Sequence, residues 1–305
     1  MMLPLMMTQY PKKQALDGII LLNKPIGLSS NGLLQRVKHL FQAQKAGHTG
    51  SLDPLATGML PICFGEATKI SSYLLDADKT YLVTGHLGIK TDTGDAEGRV
   101  IAKVEHFNLT EANVKHVLLQ FLGAQMQIPP IYSALKHEGQ PLYQLARAGK
   151  AVSKPARAIN IHTIELLSFD QNLITLRVSC SKGTYIRTLI DDIGEALNVY
   201  AYVKSLHRLD VGGFAADAMY SYEELVNMTL NQRLQCLQAI DKPISYMPAI
   251  TLEHEQISLL RQGRILDYPS SFDTIVRLYD INQKFIGLGQ LNNLQLKVKR
   301  LLRFD

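Results

Sequence analysis

The stretch GHTGSLDPLATGMLPICFGEATK, residues 47–69, sets one carboxylate, Asp53, in a loop punctuated by Gly47, Gly50, Pro54 and Gly58. Glycine permits positive φ and close approach of a neighbouring group, and proline stiffens the chain directly after the carboxylate. The apolar run 59–64 reads as a buried strand that anchors the loop, so Asp53 is held rather than mobile. An Asp-Pro pair alone is a common turn starter with no further meaning. Whether this is a turn or a site is decided by the rest of the chain.

On the N-terminal side, residues 18–22, GIILL, read as a short buried strand that runs into the turn NKPIG and sets Lys24 at the junction, within reach of a bound anion or of solvent. Ser29, Ser30 and Asn31 offer caps for a helix whose Leu33, Leu34, Val37, Leu40 and Phe41 fall at helical spacing. Beyond the loop, residues 66–75 read as a helix and 80–87 as a strand, with Tyr81, Val83, Gly85 and Leu87 alternating on one inward face. Residues 91–98, TDTGDAEG, are acidic, but Gly94 and Ala96 fall where a calcium loop needs ligands. A hairpin connection carrying Asp95 is the simpler reading. Thr110 caps the next helix, which Gly123 ends.

Residues 129–157 change character, with prolines, glycines, Tyr132, Tyr143 and basic residues interleaved. That mixture suits a projecting segment that stacks on bases and pairs with phosphates, and equally a surface helical hairpin starting at Pro141. Two strands, 159–167 and 173–180, lead into SKGTYIRTLIDD, where Thr184 is expected to cap a helix with Ile186, Leu189, Ile190, Ile193 and Leu197 inward. Arg187 then lies in the first turn, beside Tyr185. A cation at the positive end of a helix requires an anionic partner elsewhere in the fold. A strand over 202–209 carries Leu206, His207 and Arg208, and residues 241–248 form the best linker candidate. The remainder, 248–305, reads as one helix and several strands with a basic end: Lys297, Lys299, Arg300 and Arg303.

The 305 residues are 46% hydrophobic and 19% charged, which excludes disorder and allows a large core. The net charge of +5 is compatible with nucleic acid without demanding it, and two of those charges fall in the last 58 residues. The three cysteines are far apart, and the nine histidines form no HExxH or Cys/His cluster, so neither a disulfide framework nor a metal site is expected. No apolar run reaches the length of a membrane span, and the leading MMLPLMM lacks the form of a signal peptide, so the expectation is a soluble cytoplasmic protein.

Taken together, NKPIG with the following serines, the stretch 47–69, DKTY ending at Tyr81, YSALKHEGQPLYQLAR and CSKGTYIRTLIDD resemble the TruB family of bacterial tRNA pseudouridine-55 synthases, in order, from residue 18 to 212. The resemblance implies an α+β fold of the pseudouridine synthase type with a mixed, largely antiparallel sheet. It also implies an arm over 1–17, a catalytic domain over 18–247 and a small PUA-like RNA-binding domain over 248–305. The implied activity is isomerisation of a uridine in the tRNA T stem-loop by base flipping, without cofactor, metal or guide RNA, by a monomer. Asp53 matches the family's catalytic aspartate, acting as nucleophile at C6 or C1′ or supporting a glycal route. Tyr81 matches its active-site tyrosine and Arg187 the partner of the carboxylate. His48 is placed to fill the space left by the flipped base, Lys24, Tyr185 and Leu206 to hold or wall it in, and Asp95 to bond the other side of the guanidinium. A phosphate-binding NTPase is excluded because no GK[ST] follows the glycines. A non-catalytic RNA-binding protein on the same scaffold and a guide-RNA-dependent relative remain as alternatives.

Overall fold

A computed structural model describes residues 13–133, 135–150, 152, 154–214, 218–270 and 273–303. Of the arm expected over 1–17, residues 1–12 lie outside the described residues. Residues 13–17 lie against the body: Gln14 bridges Ala43, and the Asp17 carboxylate accepts from Glu66 N at 2.6 Å.

The chain lays down β1 (Gly18–Lys24), β2 (Ala46–His48), β3 (Thr57–Phe64) and β4 (Lys79–Leu87). A small hairpin follows, β5 (Ile89–Thr91) with β6 (Val100–Lys103), and then β7 (Gly123–Gln127). A second hairpin, β8 (Lys136–His137) with β9 (Gln140–Pro141), precedes the long strands β10 (Arg157–Asp170), β11 (Leu173–Cys180) and β12 (Ala201–Val211). Helices α1 (Ser30–Leu40), α2 (Ser71–Asp76), α3 (Glu111–Leu118), α4 (Leu142–Arg147) and α5 (Ile186–Ala196) alternate irregularly with them.

The main sheet runs β1-β3-β12-β4-β11-β10-β7, with β2 added beside β3. Every pairing in it is antiparallel except β12 with β3, so the sheet is mixed and largely antiparallel, as the sequence implies. The alternation read in β4 holds residue by residue: Lys79, Tyr81, Val83, Gly85 and Leu87 are buried and the residues between them are half-buried. One face of the central strands packs on α5 through Leu189, Ile190 and Ile193, and β1 and β3 pack on α1 through Leu33, Leu34 and Val37. Burying each such aliphatic side chain contributes about 1.5–3 kcal/mol.

The second sheet belongs to the C-terminal unit: β13 (Ala249–Leu252), β14 (Leu266–Asp267), β15 (Thr274–Asp280), β16 (Phe285–Asn292) and β17 (Gln295–Leu301), in the order β13-β15-β16-β17-β14. It has its own core around Leu252, Val276 and Leu296. A shared cluster joins the two units, with Phe285, Leu288 and Leu302 packed among Ile19, Met59, Ile70 and Leu74. The expected linker at 241–248 is part of that seam, since Pro243 and Ile244 are buried and Arg277 Nη1 reaches Asp241 at 3.3 Å.

Three local expectations differ from the structure. Thr184 does not cap α5; its hydroxyl donates to Ser181 O at 3.0 Å, and Tyr185 occupies the cap position. The helix expected over 66–75 is a 3₁₀ turn over Gly65–Lys69 followed by the short α2. The helix expected to end at Gly123 stops at Leu118 and is followed by a 3₁₀ turn over Leu119–Phe121, so that Gly123 opens the edge strand β7.

Candidate active site

The loop between β2 and β3 is held from below at four points. Ser30, the first residue of α1, donates its hydroxyl to Leu52 O at 3.0 Å and accepts from Leu52 N at 2.7 Å. Gly27 N donates to Pro54 O at 2.8 Å. Lys24, wholly buried, donates to Pro25 O at 2.9 Å, Leu28 O at 2.6 Å and Pro54 O at 3.3 Å. Arg208 Nη2 donates to Gly50 O at 3.1 Å, while its Nε donates to Met59 O at 2.7 Å. Gly58 is where glycine is required: φ is +98° and a Cβ would run into the Arg208 backbone.

Asp53 is therefore presented on a fixed loop. Its Oδ2 lies 2.9 Å from Arg187 Nε, and 42% of the carboxylate side chain stays accessible, so a ligand can reach it. Burial pushes the Asp53 pKa up from the usual carboxylate value; Arg187 pulls it back, Asp95 adds to the rise and Lys24 opposes it. Arg187 itself is buried and fully engaged. Its Nη1 donates to Thr93 O at 2.8 Å and lies 3.7 Å from Asp95 Oδ2, and its Nη2 donates to Tyr132 O at 2.6 Å. One guanidinium thus joins the Asp53 loop, the 91–98 turn and the start of the projecting segment. Asp95 is buried, its Oδ1 accepting from Thr93 Oγ1 at 2.6 Å and Glu97 N at 3.1 Å, so its main bonds are within its own turn.

Tyr81, buried on β4, sits in register with Arg208 on β12 and in one cluster with Leu52 and Leu206. Burial pushes its phenol pKa up, with the neighbouring Arg208 acting the other way, so the hydroxyl is protonated at neutral pH. His48, on β2, is held below the ordinary histidine value by burial and by Arg208, and its Nδ1 is buried with no hydrogen-bond partner among the described residues. Tyr185 stands at the entrance to α5 with the Arg157 guanidinium over its ring, 4.8 Å from the centroid. Lys24 is placed differently from a free cation aimed at a substrate: three carbonyls take its protons, and it acts on the loop from beneath. Burial lowers its pKa to about 8.

Arg208, placed on its strand by the sequence reading, is the main residue left out of the site. It is 1% exposed and, among the described residues, forms no carboxylate pair. Period-two reading fails on β12 because bulges fall at Val203/Ser205 and Arg208/Asp210, so the buried set passes from Ala201 and Val203 to Leu206 and Arg208. His207, its neighbour, contacts Thr57 Oγ1 through Nδ1 at 2.8 Å. Gln127 is the second omission: its Oε1 accepts from Tyr185 N at 2.8 Å and its Nε2 donates to Tyr185 O at 3.1 Å.

The architecture matches solved structures of Cbf5: a Cbf5–Nop10–Gar1 complex at TM-score 0.72 and 23% identity, covering 94% of this chain and 85% of that one. The Nop10–Cbf5 complex of an archaeal box H/ACA particle gives TM-score 0.70 at 22% identity, covering 96% and 89%. The chain thus shares its fold with Cbf5. At the level of sequence, the description "TruB family pseudouridylate synthase (N terminal domain)" matches residues 38–186, "tRNA pseudouridylate synthase B C-terminal domain" residues 187–247, and "Pseudouridine synthase II TruB, C-terminal" residues 248–302. A tRNA pseudouridine synthase B of Legionella pneumophila (strain Lens) is 48% identical over 98% of this chain and 99% of its own length. Its counterpart in Francisella philomiragia is 46% identical over 95% and 96%. The chain belongs to the TruB family of pseudouridylate synthases.

Proposed function

We propose that the chain converts the uridine at position 55, in the T arm of tRNA, to pseudouridine, acting alone in the cytoplasm as a monomer without a guide RNA. The observation that carries the reading is the buried Arg187 held 2.9 Å from an accessible carboxylate on a fixed loop, next to Tyr81. The reaction breaks the N1–C1′ bond, turns the uracil and joins C5 to C1′. C5 loses a proton and N1 gains one, so atoms and electrons balance and no redox partner or group donor is required. An ionised Asp53 serves as nucleophile at C6 or C1′, or supports charge on a glycal route. In each case Arg187 keeps it ionised and aimed.

The target base must leave its stack, at a cost of about a few kcal/mol. Tyr81 offers its ring for stacking, Leu206 and Tyr185 wall the pocket, and the neutral His48 ring fills the vacated space. Asp95 supports Arg187 through the 91–98 turn. The C-terminal unit presents Lys297, Lys299 and Arg300 exposed on β17, suited to phosphates of the tRNA.

The test is Asp53→Asn with a T-arm hairpin, read by pseudouridine-specific chemical mapping and by hairpin affinity. The expected result is affinity within about threefold of wild type and loss of at least about 10³ in rate, the scale of removing a central catalytic group. Turnover near wild type would sink the assignment of Asp53.

A further inference from the structure

We infer that Gln127, outside the Asp53 site and on the edge strand of the sheet, is a positioning residue that sets the entrance of α5 and thereby aims Arg187 at Asp53. The inference rests on the proposed roles of Asp53 and Arg187. An α-helix begins with backbone N–H groups that have no partner within the helix, and α5 has no side-chain cap of its own. Gln127 takes that place from another strand. Its side chain is nearly buried, and it grips both backbone groups of Tyr185, accepting from N and donating to O. A primary amide is the side chain that does both at once; a carboxylate accepts only and an apolar isostere does neither.

The consequence reaches the reacting carboxylate through two residues. Tyr185 is held by Gln127, Arg187 follows in the first turn, and its Nη2 is held by Tyr132 O at 2.6 Å. Gln127 and Tyr132 are five residues apart, at the junction where β7 becomes the projecting segment. That junction therefore grips the start of α5 twice, once on the backbone and once on the guanidinium. Arg157, the cross-strand partner of Gln127 in the β7–β10 pair, adds a third hold by lying over the Tyr185 ring and donating to Gly183 O. With this clamp released, Arg187 loses its fixed approach, and Asp53, which burial already pushes toward protonation, is less well compensated.

The experiment compares wild type, Gln127→Leu, Gln127→Glu and Gln125→Leu in single turnover on a T-arm hairpin at saturating enzyme, across pH, with hairpin affinity and melting temperature measured alongside. Gln125 lies on the same strand and its side chain donates to Phe121 O at 2.6 Å, away from the start of α5, so it controls for disturbance of the edge. Gln127→Leu is expected to lower the single-turnover rate about tenfold or more with hairpin affinity within about twofold, a misaimed group costing rate rather than binding. The acid limb of its pH profile should move to higher pH. Gln127→Glu, keeping the acceptor, should fall between, and Gln125→Leu should match wild type. A Gln127→Leu rate within twofold of wild type overturns the inference. So does a uniform loss at all pH values that follows the fraction folded, or, where Gln127→Leu does not fold, a folded Gln127→Glu with wild-type rate and acid limb. Inactive wild type on the hairpin would instead strike the proposed function.

Discussion

The Asp53 loop and the projecting segment over 129–157 end on the same guanidinium, yet they are held by different means. The loop is tied by Lys24, Ser30, Gly27 and Arg208, all to backbone atoms and most from buried positions. The segment reaches the body through Tyr132 O at one end and Arg157 at the other; Ser133 and Leu142 are buried, while Lys136, Glu138, Gln140, Tyr143 and Gln144 are exposed. Leu142 is buried apart from the main apolar clusters. Local opening is cheap where few apolar contacts must be broken and costly where buried polar ties would be left without partners. The loop is thus held still by buried polar ties, and the segment between its two ends is held by far fewer, meeting the start of α5 only near Tyr132 and Arg157 among the described residues.

Removing the guanidinium strikes both regions and is expected to cost more than loosening either one alone. Arg187→Met leaves the half-buried Asp53 without its main compensating charge and leaves Thr93 O and Tyr132 O without their donor. The rate should fall by about 10²–10³, the scale seen when one preorganised charge-stabilising donor is lost. The sign with pH follows from the role proposed for Asp53: if the ionised carboxylate is required, activity is lost as pH falls through the Asp53 pKa, which lies above the ordinary Asp value in the wild type and is expected higher still in the variant. A pH–rate profile on the T-arm hairpin reads this. An acid limb unmoved by the substitution would detach Arg187 from Asp53.

Lys24→Met loosens the loop alone. Three carbonyls lose a shared buried donor, and the expected loss of stability is about 1–3 kcal/mol, measured by urea unfolding. Burial lowers the folded pKa of Lys24 from 10.5 to about 8, with Asp53 and Glu97 opposing and Arg208 adding. Between those values the unfolded chain keeps a proton that the folded chain gives up, so the Lys24 contribution makes stability rise with pH across about 8 to 10.5. The variant should lack that component. A pH dependence identical to wild type would place the charge elsewhere.

The two regions also differ in how far they can be read from sequence. For the loop, glycine and proline positions announce a fixed turn, and the misplaced charge of Arg187 announces a partner, because helix polarity is a local rule. The identity of that partner is a tertiary fact. Arg208 was hidden by the bulge at Val203/Ser205, which turns Leu206 and Arg208 inward on β12, and a bulge has no reliable sequence mark. Gln127 was hidden because β7, GAQMQ, is an edge strand with little apolar periodicity, and because Thr184 satisfied every local rule for a cap that Gln127 supplies from another strand. The largely antiparallel character of the sheet and the alternation on β4 were legible, while the strand order was not; nor was the seam with the C-terminal unit, since Pro243 and Ile244 look like linker residues until Phe285 and Leu288 pack beside Ile244.

Leu142→Ala loosens the segment alone and should have the smallest effect on the whole molecule. The substitution removes the buried anchor of α4, a change that in a cooperative core costs about 2–5 kcal/mol. Because Leu142 packs outside the main clusters, that cost is expected to be met by local opening, with a melting temperature within about 2 °C of wild type. Limited proteolysis should then show faster cleavage within residues 136–157, while the Asp53→Asn lesion leaves that cleavage rate close to wild type. Hairpin turnover should fall modestly, through weaker binding rather than slower single turnover, since the Asp53–Arg187 pair keeps its ties to Ser30, Lys24 and Thr93 through the loop and the 91–98 turn. A melting temperature lowered by several degrees would mean that the segment unfolds with the main sheet, and the distinction between a fixed loop and an adaptable arm would fail at its adaptable end.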